Sequence, residues 1–223
     1  MMVVRYSYLL LSVDGAAYTQ NDSVWYDQSS YGNNGVLYNG VGYSSSDGGY
    51  LTFDGSNDFV DFGNPSNLQL SEGTVSIWVK ATNSNNGFKA IMAKRNSWGI
   101  FLVNNILSIF DWGNYYANSF NINYGLRSTD VNIGDNQWHN VVLTFTNIYG
   151  SPSNNAIVYL DGTPILTTTV LNYQQIYNVR IGDVGYPGQN LSGAIGQNTI
   201  YNRVLTSSEI SSNYNSQKSR YGL

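Results

Sequence analysis

Apolar and polar residues alternate along much of this chain with a period of two, the spacing of a strand that buries one face. In GTVSIWVKAT, starting at Gly73, Val75, Ile77 and Val79 share one face, and Ser76, Trp78 and Lys80 share the other. In QWHNVVLTFT, starting at Gln137, His139, Val141, Leu143 and Phe145 alternate with Trp138, Asn140, Val142 and Thr144. Shorter β-rich runs recur: GVLYNG, YLTFD, DFVDFG, KAIMAK, WGIFLVN, ILSIFD, NAIVYLDG, PILTTTV, NVRIGD and LSGAIGQNTIYN, with Gly, Asn and Asp turns between them. The opening VVRYSYLLLSV reads as a first strand rather than a signal peptide, because it has one early positive charge and a short apolar core that ends at Asp14-Gly15. Asp161-Gly162 suits a tight hairpin turn that needs positive φ. This pattern predicts an all-β, two-sheet antiparallel jelly-roll sandwich. With no linker, low-complexity tract or repeat, one domain is expected over residues 1–223. Val75, Ile77, Val79, Val141, Leu143, Phe145, Val158 and Leu160 are the expected core.

One segment leaves the period of two. Thr206-Ser-Ser-Glu209 has capping-box spacing, and Ile210 and Tyr214 then fall one turn apart. A single short helix is predicted over about 207–217.

Composition narrows the functions. Charged residues make up 11% of the chain and the formal net charge is −4. Such a surface does not attract phosphate backbones, so nucleic acid is not an expected partner. The chain has no cysteine and one histidine, which removes disulfides and leaves little for zinc. No apolar stretch approaches membrane-spanning length. Tyr, Asn, Ser and Gly occupy the places that charges usually fill, offering rings, amides and hydroxyls.

The acidic residues give weak signals. Glu72 precedes a strand and Glu209 is committed to the helix cap, so a glycosidase pair of carboxylates does not announce itself. His139 lies mid-strand without a nucleophile elbow nearby and reads as a structural, hydrogen-bonded histidine. No catalytic residue is assigned. Asp54, Asp58 and Asp61 cluster around the Gly-Ser-Asn turn of LTFDGSNDFVDFG. A hairpin turn explains every letter and is favoured, while a hard cation is the competing reading. If a cation is bound, Asp54 or Asp58 is a ligand and the ion is structural calcium.

Several ordered motifs resemble those of laminin G-like, concanavalin A-like jelly-roll modules. GGYLTFDGSNDFVDFGNPSNLQLSEGTVSIWVKAT is similar to their G-x-x-x-F-D-G-x-x-D-Y-V and F-T-x-x-x-W-V-K segments, and QWHNVVLTFTN and IVYLDGTPI to their W-H-H-V-x-x-T-Y and L-Y-V-D-G segments. VWYDQSSYGNNGVLYNG and LSGAIGQNTIYNRVLTSSEISSNYN resemble the opening and closing motifs, so the likeness runs from about residue 8 to the end. It implies two antiparallel sheets, one concave, with glycans or proteins bound on or beside the concave face, and a calcium ion in many members. Asp54 and Asp58 match the family's turn aspartates, but Gly196 and Gln197 stand where its later Asp-Glu pair would be. The tail YNRVLTSSEISSNYNSQKSRYGL further resembles the close of such modules in structural proteins of tailed bacteriophages.

Three functions stand open. The first is a non-enzymatic virion surface protein, a capsid decoration or tail component that contacts capsid or tail proteins and carries a lectin-like domain able to touch glycans. The second is a free lectin or adhesin module, and the more distant third is a glycan-cleaving enzyme. For ligand contact, two aromatic loops stand out, DWGNYYANSFNINYG and GDVGYPG. Trp112, Tyr115, Tyr116, Tyr124 and Tyr186 could stack on sugar rings, with Asn114, Asn118 and Asp183 as polar companions. Packing on the sandwich or a protein interface is the competing reading for the same tyrosines.

Overall fold

The alternating segments fold into two stacked antiparallel sheets. The computed structural model describes residues 8–82, 87–149, 153–173 and 175–223. In chain order its strands are β1 (Leu9–Val13), β2 (Val24–Trp25), β3 (Gly35–Tyr38), β4 (Gly42–Ser44), β5 (Tyr50–Asp54), β6 (Phe59–Asp61), β7 (Gly73–Ala81), β8 (Phe88–Lys94), β9 (Trp98–Val103), β10 (Ile106–Asp111), β11 (Leu126–Asn132), β12 (Trp138–Phe145), β13 (Ala156–Leu160), β14 (Thr163–Thr168), β15 (Val179–Ile181) and β16 (Ser192–Tyr201). Its α-helices are α1 (Trp112–Ala117), α2 (Ile122–Gly125) and α3 (Ser207–Gln217).

One sheet runs β14-β13-β12-β7-β16-β5-β4, with β1 also paired to β16, and the other runs β11-β10-β9-β8-β15-β6-β3-β2. The inner faces of both sheets meet in one core. Val75, Ile77, Val79, Val141, Leu143, Phe145 and Val158 lie in it at no more than 1% exposure. Leu160 is half-buried at the mouth of the β13–β14 turn, packed against that core rather than within it. In that turn Asp161 and Gly162 have φ of 50° and 78°, as the Asp-Gly pair requires. Asn39, Asn96, Asn104 and Asn136 also hold positive φ at bends, which accounts for part of the asparagine content.

Three strands carried no pattern that announced them. β2 is two residues long, and β4 and β11 are edge strands. An edge needs no apolar face to pair on one side, so LRSTDVN in β11 stays polar and largely half-exposed.

The hairpin expected at Asp54–Asp58 is not one. β5 pairs with β16 and β4, whereas β6 pairs with β15 and β3. The Gly-Ser-Asn turn therefore carries the chain from one sheet to the other. The same turn residues serve both geometries, so local sequence could not separate them.

The C-terminal segment closes the outer face of the first sheet. The Thr206 hydroxyl accepts from the Glu209 amide at 3.2 Å, and the Glu209 carboxylate accepts from the Thr206 amide at 2.8 Å, completing the expected capping box. Arg203 holds the Glu209 carboxyl down to about 2 through a paired hydrogen bond, and the cap amide helps. Trp78, on the polar side of β7 by alternation, is only 1% exposed. Tyr221 stacks on it at 4.1 Å between ring centroids, Tyr214 of α3 at 5.7 Å, and its indole nitrogen donates to Gln217.

Candidate functional site

The outer face of the second sheet is also aromatic. β9 and β10 send Trp98, Ile100, Leu102, Leu107 and Ile109 into the core, so Phe101 and Phe110 must point away from it. With Phe88 and Ala90 of β8 they form a second apolar layer. The stretch after β10, expected as a loop, folds over this layer as α1 and α2. Asp111 starts α1 by accepting from the Asn114 amide at 3.0 Å, and it also accepts from the Leu171 amide and from Arg127. Asp111 is fully buried, and burial pushes its carboxyl up against the pull of those donors.

Trp112 and Tyr115 come down on Phe110 edge-on, at centroid distances of 5.0 and 5.3 Å. Tyr186 arrives from the bend between β15 and β16. Between these rings lies a cavity of about 260 Å³, lined by Phe88, Phe101, Phe110, Trp112, Tyr115, Ile122, Tyr186 and Gln189. Such a volume, room for one ring-sized group, falls just under the about 300–1,000 Å³ usual for small-molecule sites.

The residues singled out in the sequence play unequal parts here. Tyr115 and Tyr186 are half-buried walls of the cavity. Trp112 also lines it but is 3% exposed and wedged against Phe101 and Phe110, so it is chiefly packing. Tyr116 faces a neighbouring hollow, stacked on Tyr173 at 4.1 Å with its hydroxyl 3.1 Å from Asn96 Oδ1. Burial, with Tyr186 close by, pushes that hydroxyl up to about 12. The polar companions are occupied internally. Asn114 donates to Asp111 Oδ2 at 2.7 Å, Asn118 donates to the Asn114 carbonyl at 2.9 Å, and Asp183 accepts from Arg180 and the Gly185 amide. The Tyr124 side chain lies outside the described residues. Phe88, Phe101, Phe110 and Gln189 were missed. The available signal was that WGIFLVN and ILSIFD are apolar on both faces, which a strand with one solvated face does not need.

His139 is hydrogen-bonded as expected, with Nδ1 2.9 Å from Asp161 Oδ2 and Nε2 3.3 Å from Asp135 Oδ2. Burial opposes its charged form, but bonds and charges from Asp161 and Asp135 outweigh that and raise its pKa.

The three turn aspartates divide. Asp61 is consumed by Asn178, Arg180 and the Gly63 amide. Asp58 is 3% exposed; its Oδ2 accepts from the Asp54 amide at 3.0 Å and its Oδ1 is buried without a partner. Desolvation, opposed by that amide bond and aided by the Asp54 charge, raises its pKa. Among the described residues no three His, Cys, Asp or Glu side chains gather as a metal cage. Calcium's six to eight oxygens would thus come from Asp54, Asp58 and backbone carbonyls or water. Gly196 and Gln197 have no bearing on this turn. Ser192 pairs with Asp54, so Gly196 lies about 13 Å further along β16, at roughly 3.3 Å per residue. There Gln197 donates its amide to the Tyr221 hydroxyl, and a side chain at Gly196 would collide with the Tyr221 ring.

Residues 54–211 match the sequence model of the concanavalin A-like lectin/glucanases superfamily. No curated protein sequence matches the chain. Among solved structures, the binding domain of Paraclostridial mosquitocidal protein 1 is similar at TM-score 0.69 and 16% identity, over 94% of this chain and 52% of that one. The botulinum neurotoxin serotype D binding domain gives TM-score 0.67 and 17% identity, over 94% and 52%. This chain thus spans about half the length of both. Domain 4 of AbnA, an extracellular arabinanase from Geobacillus stearothermophilus solved with arabinotriose, gives TM-score 0.65 and 17% identity, over 92% and 97%. At these identities the likeness is one of fold. Among the described residues no helix is long and apolar enough to cross a membrane.

Proposed function

Because the chain belongs to the concanavalin A-like lectin/glucanases superfamily, whose fold carries many functions, we propose that it is a non-enzymatic glycan-binding module that uses the aromatic cavity over β8, β9 and β10. The cavity itself carries this reading: a second apolar layer, not needed to join the sheets, is left open beneath Tyr115 and Tyr186 at the size of a sugar ring. An aromatic plane accepts the apolar face of a pyranose, and Gln189 supplies an amide for its hydroxyls. Among the described residues its lining contains no carboxylate, whereas glycoside hydrolysis needs a positioned pair. The similar structures named above are binding domains or, for AbnA domain 4, a domain bound to an oligosaccharide, which agrees with binding rather than cleavage. Titration against a panel of oligosaccharides tests the proposal. Binding that Tyr186→Ala and Tyr115→Ala both abolish, with melting temperature kept, supports it; no binding at millimolar sugar removes it.

The setting of this module is a virion surface, as a capsid decoration or tail component. What supports this is the likeness of the closing segment from Tyr201 to Leu223 to structural proteins of tailed bacteriophages. Detection of the chain by mass spectrometry in gradient-purified virions tests it, and its absence from such particles would return the module to a free lectin or adhesin.

A structural calcium ion belongs to the same reading, held at the turn by Asp54 and Asp58. The unpartnered buried Oδ1 of Asp58 supports it. An ion that binds only the folded chain raises its melting temperature. The rise on adding calcium should vanish in Asp54→Asn with Asp58→Asn; equal melting in calcium and chelator eliminates the ion.

A further inference from the structure

Next to the aromatic cavity, across Tyr186, is a second cavity of about 360 Å³, lined by Arg95, Ile176, Tyr177, Asn178, Arg180 and Gly185 among others. Two guanidinium groups converge on it. A Cβ placed on Gly185 would lie 3.7 Å from Arg95 Nη1 and 3.8 Å from Arg180 Nη1. Gly185 has φ +82°, a backbone conformation that glycine adopts without strain.

The two arginines are partnered differently. Arg180 is satisfied, donating from Nε to Asp61 Oδ2 and from Nη1 to Asp183 Oδ2, each at 2.9 Å. Arg95 has no carboxylate partner among the described residues. Its guanidinium lies over the rings of Tyr177, at 4.7 Å, and Tyr186, at 4.1 Å, and its Nε is buried without a hydrogen-bond partner. Beneath it, fully buried Lys94 donates to Asn64 Oδ1 and the Tyr177 carbonyl, again with no carboxylate partner among the described residues. Of the two arginines that line the cleft, Arg180 thus takes both aspartates, in a chain whose formal charge is −4 with only 10 Lys and Arg in all. Pinned on aromatic rings with its Nε buried, the Arg95 guanidinium offers the cleft its terminal nitrogens, a pair of donors of the kind that recognises a carboxylate through paired hydrogen bonds.

We propose that the Arg95–Arg180 cleft takes the carboxylate of an acidic sugar residue, so that the glycan bound by this module is a uronic or similarly carboxylated one with its ring against Tyr186. The inference rests on the glycan-binding reading and names its substrate class. Tyr186 joins the two halves: it walls the sugar-sized cavity and stacks on Arg95, so a ring seated there can carry a substituent into the cleft. A neutral sugar would leave Arg95 unpartnered and gain nothing from it, and sites built around a buried polar group discriminate strongly on that ground.

The experiment uses an array of neutral, carboxylated and sulfated glycans at two salt concentrations, followed by calorimetry of the best carboxylated glycan against its own methyl ester. The acid should bind at least tenfold more tightly than the ester, with an advantage that shrinks at high salt. Arg95→Gln should erase the difference between acid and ester, and Arg95→Lys, which keeps charge without the fork, should retain part of it. Should Arg95→Gln fail to fold, the comparison of acid and ester on the unmodified chain still decides. Neutral glycans bound as tightly as acidic ones would overturn the inference and leave the glycan-binding reading standing. Binding restricted to sulfated glycans would overturn the choice of carboxylate. No glycan bound at all would remove both.

Discussion

Arg220 tests how the tail holds the sandwich shut. It gives two hydrogen bonds to the Asp14 carboxylate, at 2.7 and 2.8 Å, and reaches the carbonyls of Asp47, Gly48 and Gly49 at 3.0, 3.1 and 2.8 Å. One side chain so ties the C-terminus to the end of β1 and to the turn before β5. The pair is largely enclosed, with side-chain exposures of 24% for Arg220 and 14% for Asp14. Breaking a fully buried pair costs about 3–5 kcal/mol, and an exposed one about 0–1. Arg220→Met keeps the aliphatic stem and removes all five donors, so this intermediate burial gives a loss of about 2–3 kcal/mol. For a chain of this size that corresponds to a melting temperature lower by roughly 4–12 °C. Urea unfolding and calorimetry measure it. Combining Arg220→Met with Asp14→Ala should show coupling of about 1–2 kcal/mol, because both changes break the same bonds. A melting temperature within about 1 °C of the parent, or strictly additive single changes, would refute the latch, since shifts that small belong to exposed pairs. Tyr221, next in the chain, adds its stack on Trp78 and accepts the Gln197 amide. The residues that carry the tail's likeness to phage modules are therefore ones that close the fold.

Two further outcomes follow from the same geometry. Trp112→Ala should cost about 3–5 kcal/mol because it empties a buried ring site, and urea unfolding that shows under about 1 kcal/mol would mean that Trp112 is not packed as described. The raised pKa of His139 contributes stability that is full below its ordinary value of about 6.5 and is lost as pH rises through the folded value. The urea midpoint should therefore fall as pH rises above about 6.5, and the part of that fall below about 8 is clear of Lys94, which burial pushes down to about 8. His139→Asn should flatten that slope, and an unchanged slope in the variant would assign it to other groups.

The sequence by itself determined whatever depends on local periodicity and local hydrogen bonds. Val75, Ile77 and Val79 point inward because alternation admits only two faces, and the Thr206–Glu209 box starts α3 because its partners are three residues apart. Asp161-Gly162 turns tightly because of its own backbone freedom. Tyr115 and Tyr186 were legible as aromatic surplus, but the cavity they wall was not. Alternation tells which residues leave the core; it does not tell what covers them. Trp78 and Phe110 both point outward, yet Tyr221, 143 positions along the chain, buries the first, and Trp112 and Tyr115 the second. Tertiary structure also decided that Asp54–Asp58 crosses between sheets, because pairing partners for β5 and β6 come from β16 and β15, far along the chain. Asn114 and Asp183 are taken up by local bonds, to partners three residues away in each case, whereas the tertiary structure left Arg95 without a carboxylate among the described residues. The long-range pairs, Arg180 with Asp61 and Arg220 with Asp14, are set by which distant segments meet, and no short-range pattern records that meeting.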